Sequence, residues 1–195
     1  MAKRTTTQTP TEDNLENVQE ATGGENVSQE VEQTADHGIC CVATPDNDGV
    51  ALIDGDGQTL LIVALNETQL AFGGDESQGL EEDVASPSMT GLDGQQRSAF
   101  LIDFYGREKK AVPALDACAE FGWLPSGGEM ALIFANKTAI NEMIESLGGT
   151  PIGDGRYWTS QRFSNERMWS INMSDGTFGI SLGTASVAGV RAVKK

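Results

Sequence analysis

Trp123-Leu124-Pro125-Ser126-Gly127-Gly128-Glu129-Met130 is the stretch that decides the fold of this 195-residue chain. Ser126 and Glu129 stand three apart ahead of an apolar run. That is the spacing of a capping box, in which the serine oxygen accepts the amide three residues on and the glutamate reaches back to the cap. Met130, Leu132, Ile133 and Phe134 then form the apolar body of a helix. Residues 138–147 continue or restart it, with Ile140, Met143, Ile144 and Leu147 at the i, i+3, i+4, i+7 spacing of one helical face, and Gly148-Gly149 closes it.

Downstream the period changes from 3.6 to 2. Tyr157-Trp158-Thr159-Ser160 starts a strand, and residues 168–173 alternate, with Trp169, Ile171 and Met173 on one side. Ser174-Asp175-Gly176 turns the chain, residues 177–182 alternate again through Phe178, Ile180 and Leu182, and residues 187–193 form a last strand. Upstream, residues 111–121 read as a helix with Pro113 in its first turn and Leu115, Cys118, Ala119 and Phe121 near one face. Residues 95–105 read as another, with Ala99, Ile102 and Phe104 toward a core. Further back come short strands at 39–43, 50–53, 59–65 and 69–72, the second and third separated by Asp54-Gly55-Asp56-Gly57, a hairpin signal. That acidic loop fails as a calcium loop, since its twelfth position is Leu65 where a glutamate is needed, so it is turn chemistry. Helices followed by a meander of short strands give an α+β class.

Charge divides the chain. Residues 1–37 hold eight acidic and two basic groups (−6), residues 38–110 thirteen and four (−9), and residues 111–195 eight and seven (−1). A net charge of −16 argues against a nucleic-acid backbone or an anionic membrane as partner, because both would be repelled. Residues 1–37, with only Leu15, Val18, Val27 and Val31 as sizeable apolar anchors, read as a disordered acidic tail, either a tether or a docking peptide. Residues 38–195 read as the folded domain, 38–110 as leading strands and loops and 111–195 as its motif-bearing core. The first residues lack the apolar core of a signal peptide, and no 18-residue apolar run occurs, so the sequence predicts a cytosol-made chain with no membrane insertion. Cys40, Cys41 and Cys118 form no paired framework and read as reduced, mostly buried thiols; with His37 the single histidine, no metal site or cofactor is expected.

The order Ala117-Cys118, Trp123 to Met130, Tyr157-Trp158-Thr159-Ser160, Trp169, Asp175-Gly176 and Val190-Arg191-Ala192-Val193 resembles the C-type-lectin-fold domains of gut-bacterial surface proteins and of bacteriophage receptor-binding and decoration proteins. The resemblance implies a lectin-like fold of two helices plus short antiparallel strands, with an exposed ligand face between the last strands. It also implies a binding role. The calcium-type sugar triplets Glu-Pro-Asn and Gln-Pro-Asp are absent, and no nucleophile–His–acid set can form around His37, so the chain is expected not to be an enzyme. The many carboxylates that could hide a glycosidase pair read as solvated loops.

The expected ligand contacts are Gln161, Arg162, Phe163, Asn165 and Arg167 in one loop, and Thr184 and Ser186 in another. An aromatic flanked by two arginines is the composition of a binding hot spot. The three tryptophans read instead as packing residues. The expected function is a non-enzymatic surface-binding module. Its first form is a bacteriophage virion protein, a capsid decoration or fibre tip, whose tail docks to a virion structural protein and whose domain meets a host cell-surface glycan or protein. The alternatives are a bacterial cell-surface adhesin and a cytosolic protein-interaction domain. Homo-oligomerisation is left open.

Overall fold

Three strands at the start form a meander whose turns are built from side-chain oxygens. β1 (Cys40–Ala43), β2 (Gly49–Ile53) and β3 (Thr59–Ala64) pair antiparallel in sequence order. In the first turn the Thr44 hydroxyl accepts the amides of Asp48 and Gly49, both at 3.1 Å. In the second, Asp54 Oδ1 accepts the amides of Asp56 at 3.0 Å and Gln58 at 2.8 Å. This is the Asx-type turn chemistry that the acidic cluster predicts. The computed structural model describes residues 38–73, 91–107, 109–164, 167–180 and 182–195. The acidic tail 1–37, most of the irregular acidic stretch after Phe72, and Asn165 lie outside the described residues.

The remaining elements are β4 (Thr68–Ala71), α1 (Gly94–Arg107), α2 (Pro113–Asp116), α3 (Gly127–Ala135), α4 (Lys137–Ser146), β5 (Arg156–Arg162), β6 (Met168–Asn172), β7 (Phe178–Gly179), β8 (Val187–Val190) and β9 (Val193–Lys194). They make an α+β fold with two sheets: a four-stranded one in the order β1-β2-β3-β9 and a five-stranded one in the order β4-β8-β5-β6-β7. The expectation of two helices is corrected to four helical segments. The sheets are antiparallel except where β5 runs parallel to β8 at Tyr157 and Gly189.

Three sequence expectations change for identifiable reasons. The helix expected over 111–121 is one α-turn, α2. From Cys118 on, amides bond three residues back (Cys118 to Leu115, Ala119 to Asp116), so the chain tightens into successive turns and exposes Ala119. α1 forms as expected but presents a different face. Arg97, Ser98, Leu101 and Tyr105 are buried, while Ala99 and Ile102 face solvent. The Ser98 hydroxyl donates to Leu124 O at 3.0 Å and Tyr105 packs against Phe72, which fixes the rotation. The last strand, expected to be continuous over 187–193, divides into β8 and β9 in different sheets.

That division is held by Arg191. Its guanidinium is fully buried and donates to Ala64 O (3.0 Å), Thr150 O (2.6 Å) and Glu67 Oε2 (2.6 Å). Tyr157 donates its hydroxyl to the same Glu67 oxygen at 2.6 Å. The chain passes from the first sheet to the second between β3 and β4 and returns between β8 and β9, so one ion pair holds both crossings. A buried charge is tolerable only with this degree of pairing.

Two apolar cores result. Phe72, Leu101, Tyr105, Leu115, Cys118, Trp158 and Met168 form one beneath α1 and α2, with Trp158 edge-on to Phe72 at 5.8 Å. Val50, Leu52, Val63, Met130, Ile133, Ile140, Ile144 and Ile171 form the other, between the first sheet and α3–α4. Gly122 lies where a Cβ would sit 2.1 Å from Val193 O, so only glycine lets residues 121–123 run against β9.

Candidate functional site

The capping box forms as read: Ser126 Oγ accepts Glu129 N at 3.2 Å, and Glu129 Oε2 accepts Ser126 N at 2.8 Å. Glu129 also accepts from Trp123 Nε1 (3.2 Å) and Gly94 N (3.3 Å), and Ser126 donates to Gly91 O (2.6 Å). The glutamate therefore joins the starts of α1 and α3. Burial raises its pKa, partly offset by these donors. Every donor is spent on the fold, and nothing reacts there.

Beside this junction, β5 runs further than its sequence suggests, through Gln161 and Arg162, with an irregularity in its register to β6. Gln161, expected to contact ligand, is fully buried, and its Oε1 accepts the amide of Gly127 at 2.9 Å, a second side chain serving the start of α3. Arg162, also an expected contact, is 6% exposed, and its Nε donates to Ser164 O at 2.9 Å. Thr184 is buried too, its carbonyl accepting Gly73 N at 3.1 Å. All three are corrected from loop contacts to internal supports. A polar side chain that is withdrawn from water and meets a backbone partner looks, in sequence, like one left free for a ligand.

What remains outside is narrower. Phe163 is 47% exposed and stands at right angles to Trp169, ring centroids 5.7 Å apart. Trp169 is half-buried, not core, so the expected alternation of β6 holds for Ile171 but not for Trp169. Arg167 is exposed, and its Nη1 donates to Ile180 O at 3.0 Å. Ser186 is half-buried beside exposed Ala185 and Val187, in a separate turn closed by Ser186 N to Gly183 O at 2.9 Å. The expected loop thus shrinks to the mouth of the β5–β6 hairpin. Its outward-facing groups are Phe163, the accessible part of Trp169, and Arg167. The sequence reading missed Trp169 as Phe163's partner, although the two sit on opposite arms of one short hairpin.

The remaining chemistry is subdued. Burial pushes the Cys41 thiol up to about 11 and the Cys118 thiol up to about 12, so both stay protonated and unreactive. Among the described residues no three His, Cys, Asp or Glu gather as metal ligands, and no helix is long and apolar enough to cross a membrane.

Its fold is similar to that of a fimbrial protein. The structure is that of a fimbrial protein from Bacteroides ovatus ATCC 8483, with a TM-score of 0.57 and 15% sequence identity over 68% of this chain. The match covers 35% of that protein, so the chain spans about a third of its length. No protein-family model and no curated protein matches the sequence. At this identity the likeness concerns the fold.

Proposed function

We propose that the chain is a non-catalytic attachment module displayed on a cell surface, contacting its target through the mouth of the β5–β6 hairpin. The observation that carries this reading is Phe163, a largely solvent-facing ring seated edge-on against Trp169 and flanked by Arg167 on a tied-down turn. Rigid aromatic anchors beside arginine are what binding hot spots are made of. The fold it shares with part of a fimbrial protein supports a surface role. A second reading, a bacteriophage virion component facing a bacterial surface, is favoured by the order of tryptophan, capping-box and Asp-Gly motifs over residues 111–195.

The test uses fluorescently labelled full-length chain on two probes, intact Bacteroides ovatus cells and wells coated with intestinal mucin. Retention on mucin favours the adhesin reading, and retention on bacterial cells favours the virion reading. In either case Phe163→Ala should weaken retention by at least about 10-fold, the loss that marks a hot spot, while moving the unfolding midpoint little. Chelator should leave retention intact. Wild-type retention by folded Phe163→Ala would remove the hairpin as the contact surface.

A further inference from the structure

We infer that Arg162 is a positioning residue: it holds the turn that presents the Phe163–Trp169 ring pair and does not itself touch the target. This rests on the hairpin mouth being the contact surface. The turn closes through Phe163 N to Arg167 O at 3.0 Å and Ser164 N to Arg167 O at 3.1 Å. The reciprocal bond, Arg167 N to Ser164 O, is stretched to 3.5 Å, at the limit of a useful hydrogen bond. The short contact to that carbonyl comes from Arg162 Nε at 2.9 Å, from beneath the turn. A charge-assisted bond is the stronger kind, so Ser164 O is held chiefly by the side chain. On the other arm Arg167 is pinned to Ile180 O. Two arginines therefore clamp the turn from opposite sides, with Phe163 between them.

The preceding residue strengthens the case. Gln161 is bonded to Gly127 at the start of α3, so the strand entering the turn is anchored to a helix one residue before Arg162 acts. The order Gln161-Arg162-Phe163 is buried anchor, buried clamp, exposed ring. Lysine could keep the charge at 162 but not the fixed planar geometry that aims Nε at Ser164 O. Holding a contact ring in place before binding reduces the ordering cost of association, and that is the benefit assigned to Arg162.

The experiment is NMR of the full chain, paired with the retention assay on whichever of the two probes the wild type binds. In the wild type, Arg162 Nε–H should exchange slowly, and the Phe163 ring protons should carry the ring-current shift expected beside Trp169. Arg162→Lys should move the Phe163 signals toward free-phenylalanine values and weaken retention roughly 3- to 10-fold. The double variant Arg162→Lys/Phe163→Ala should be no weaker than Phe163→Ala alone, because a clamp without its ring has nothing to present. Unmoved Phe163 signals, or additive losses in the double variant, would overturn the inference while leaving the hairpin reading in place. Should Arg162→Lys not fold, the wild-type Nε–H decides, since exchange as fast as an exposed arginine overturns it. Wild-type retention by Phe163→Ala would sink the hairpin reading, and the geometric arm would still report on Arg162.

Discussion

Glu129 places an ionisable group where water does not reach, and its sign can be worked out. Its folded pKa is raised by burial above the ordinary 4.5. On acidification from neutral pH the folded chain therefore takes up this proton before the unfolded chain does. Stability from this residue grows as pH falls and is lost as pH rises through the folded pKa. Asp48 and Asp175 are shifted the other way, Asp48 by hydrogen bonds from Lys194 and Thr44 and Asp175 by Thr177, so their contributions disappear at lower pH still. The thermal midpoint should rise between about pH 7 and about pH 5 and then fall. Glu129→Gln should flatten the rise, and an undiminished rise would assign it to the overall charge of −16. The tryptophans offer a second comparison. Trp158→Ala should cost about 3–5 kcal/mol, as for a buried aromatic, whereas Trp169→Ala, half-exposed, should cost clearly less while abolishing the Phe163 ring-current shift. Equal losses in denaturant unfolding would place Trp169 in the core after all. At this scale the sequence could mislead, because polarity does not say whether Gln161 meets water or the amide of Gly127.

Elements whose signal is local were the most legible. Ser126 and Glu129 predicted the start of α3 with both bonds of the box, and Gly148, at φ 74°, ends α4 in the left-handed conformation glycine favours. Thr44 and Asp54 likewise made their turns from their own side chains. Ser126→Ala should lose about 1–2 kcal/mol, toward the upper end because the hydroxyl also holds Gly91, and chemical denaturation would show it. A loss indistinguishable from zero would mean that the network around Glu129 closes without its cap. Elements fixed by tertiary partners were less legible. The rotation of α1 depends on Leu124 and Phe72, and the length of α2 on how residues 117–122 must turn to meet β9, none of which is written in the helix's own residues. The hairpin mouth lies between these cases: Phe163 and Arg167 could be singled out from composition, but the inward roles of Gln161 and Arg162 needed the register of β5.

For the whole molecule, Arg191 is the residue on which both sheets depend. Arg191→Met should destabilise by about 3–5 kcal/mol, because it leaves Glu67 and the Thr150 carbonyl without their buried cation. Replacing Glu67 as well should recover part of the loss, and a double variant worse than the single would contradict this pairing. The α+β class was legible from the change of period along the chain. The splitting of residues 187–193 between two sheets was not, since an uninterrupted apolar stretch gives no sign that Arg191 must turn inward within it. The order β1-β2-β3-β9, antiparallel throughout, has a mechanical corollary. The start of β1 and the finish of β9 leave the sheet from the same end, three strand spacings apart, on the order of 14 Å. Tension applied through those two points pulls across the strands and opens their hydrogen bonds one after another, as a zipper opens, so the first sheet should yield at low force in a pulling experiment. The hairpin mouth, which lies on neither loaded strand, would keep its grip until that sheet had parted.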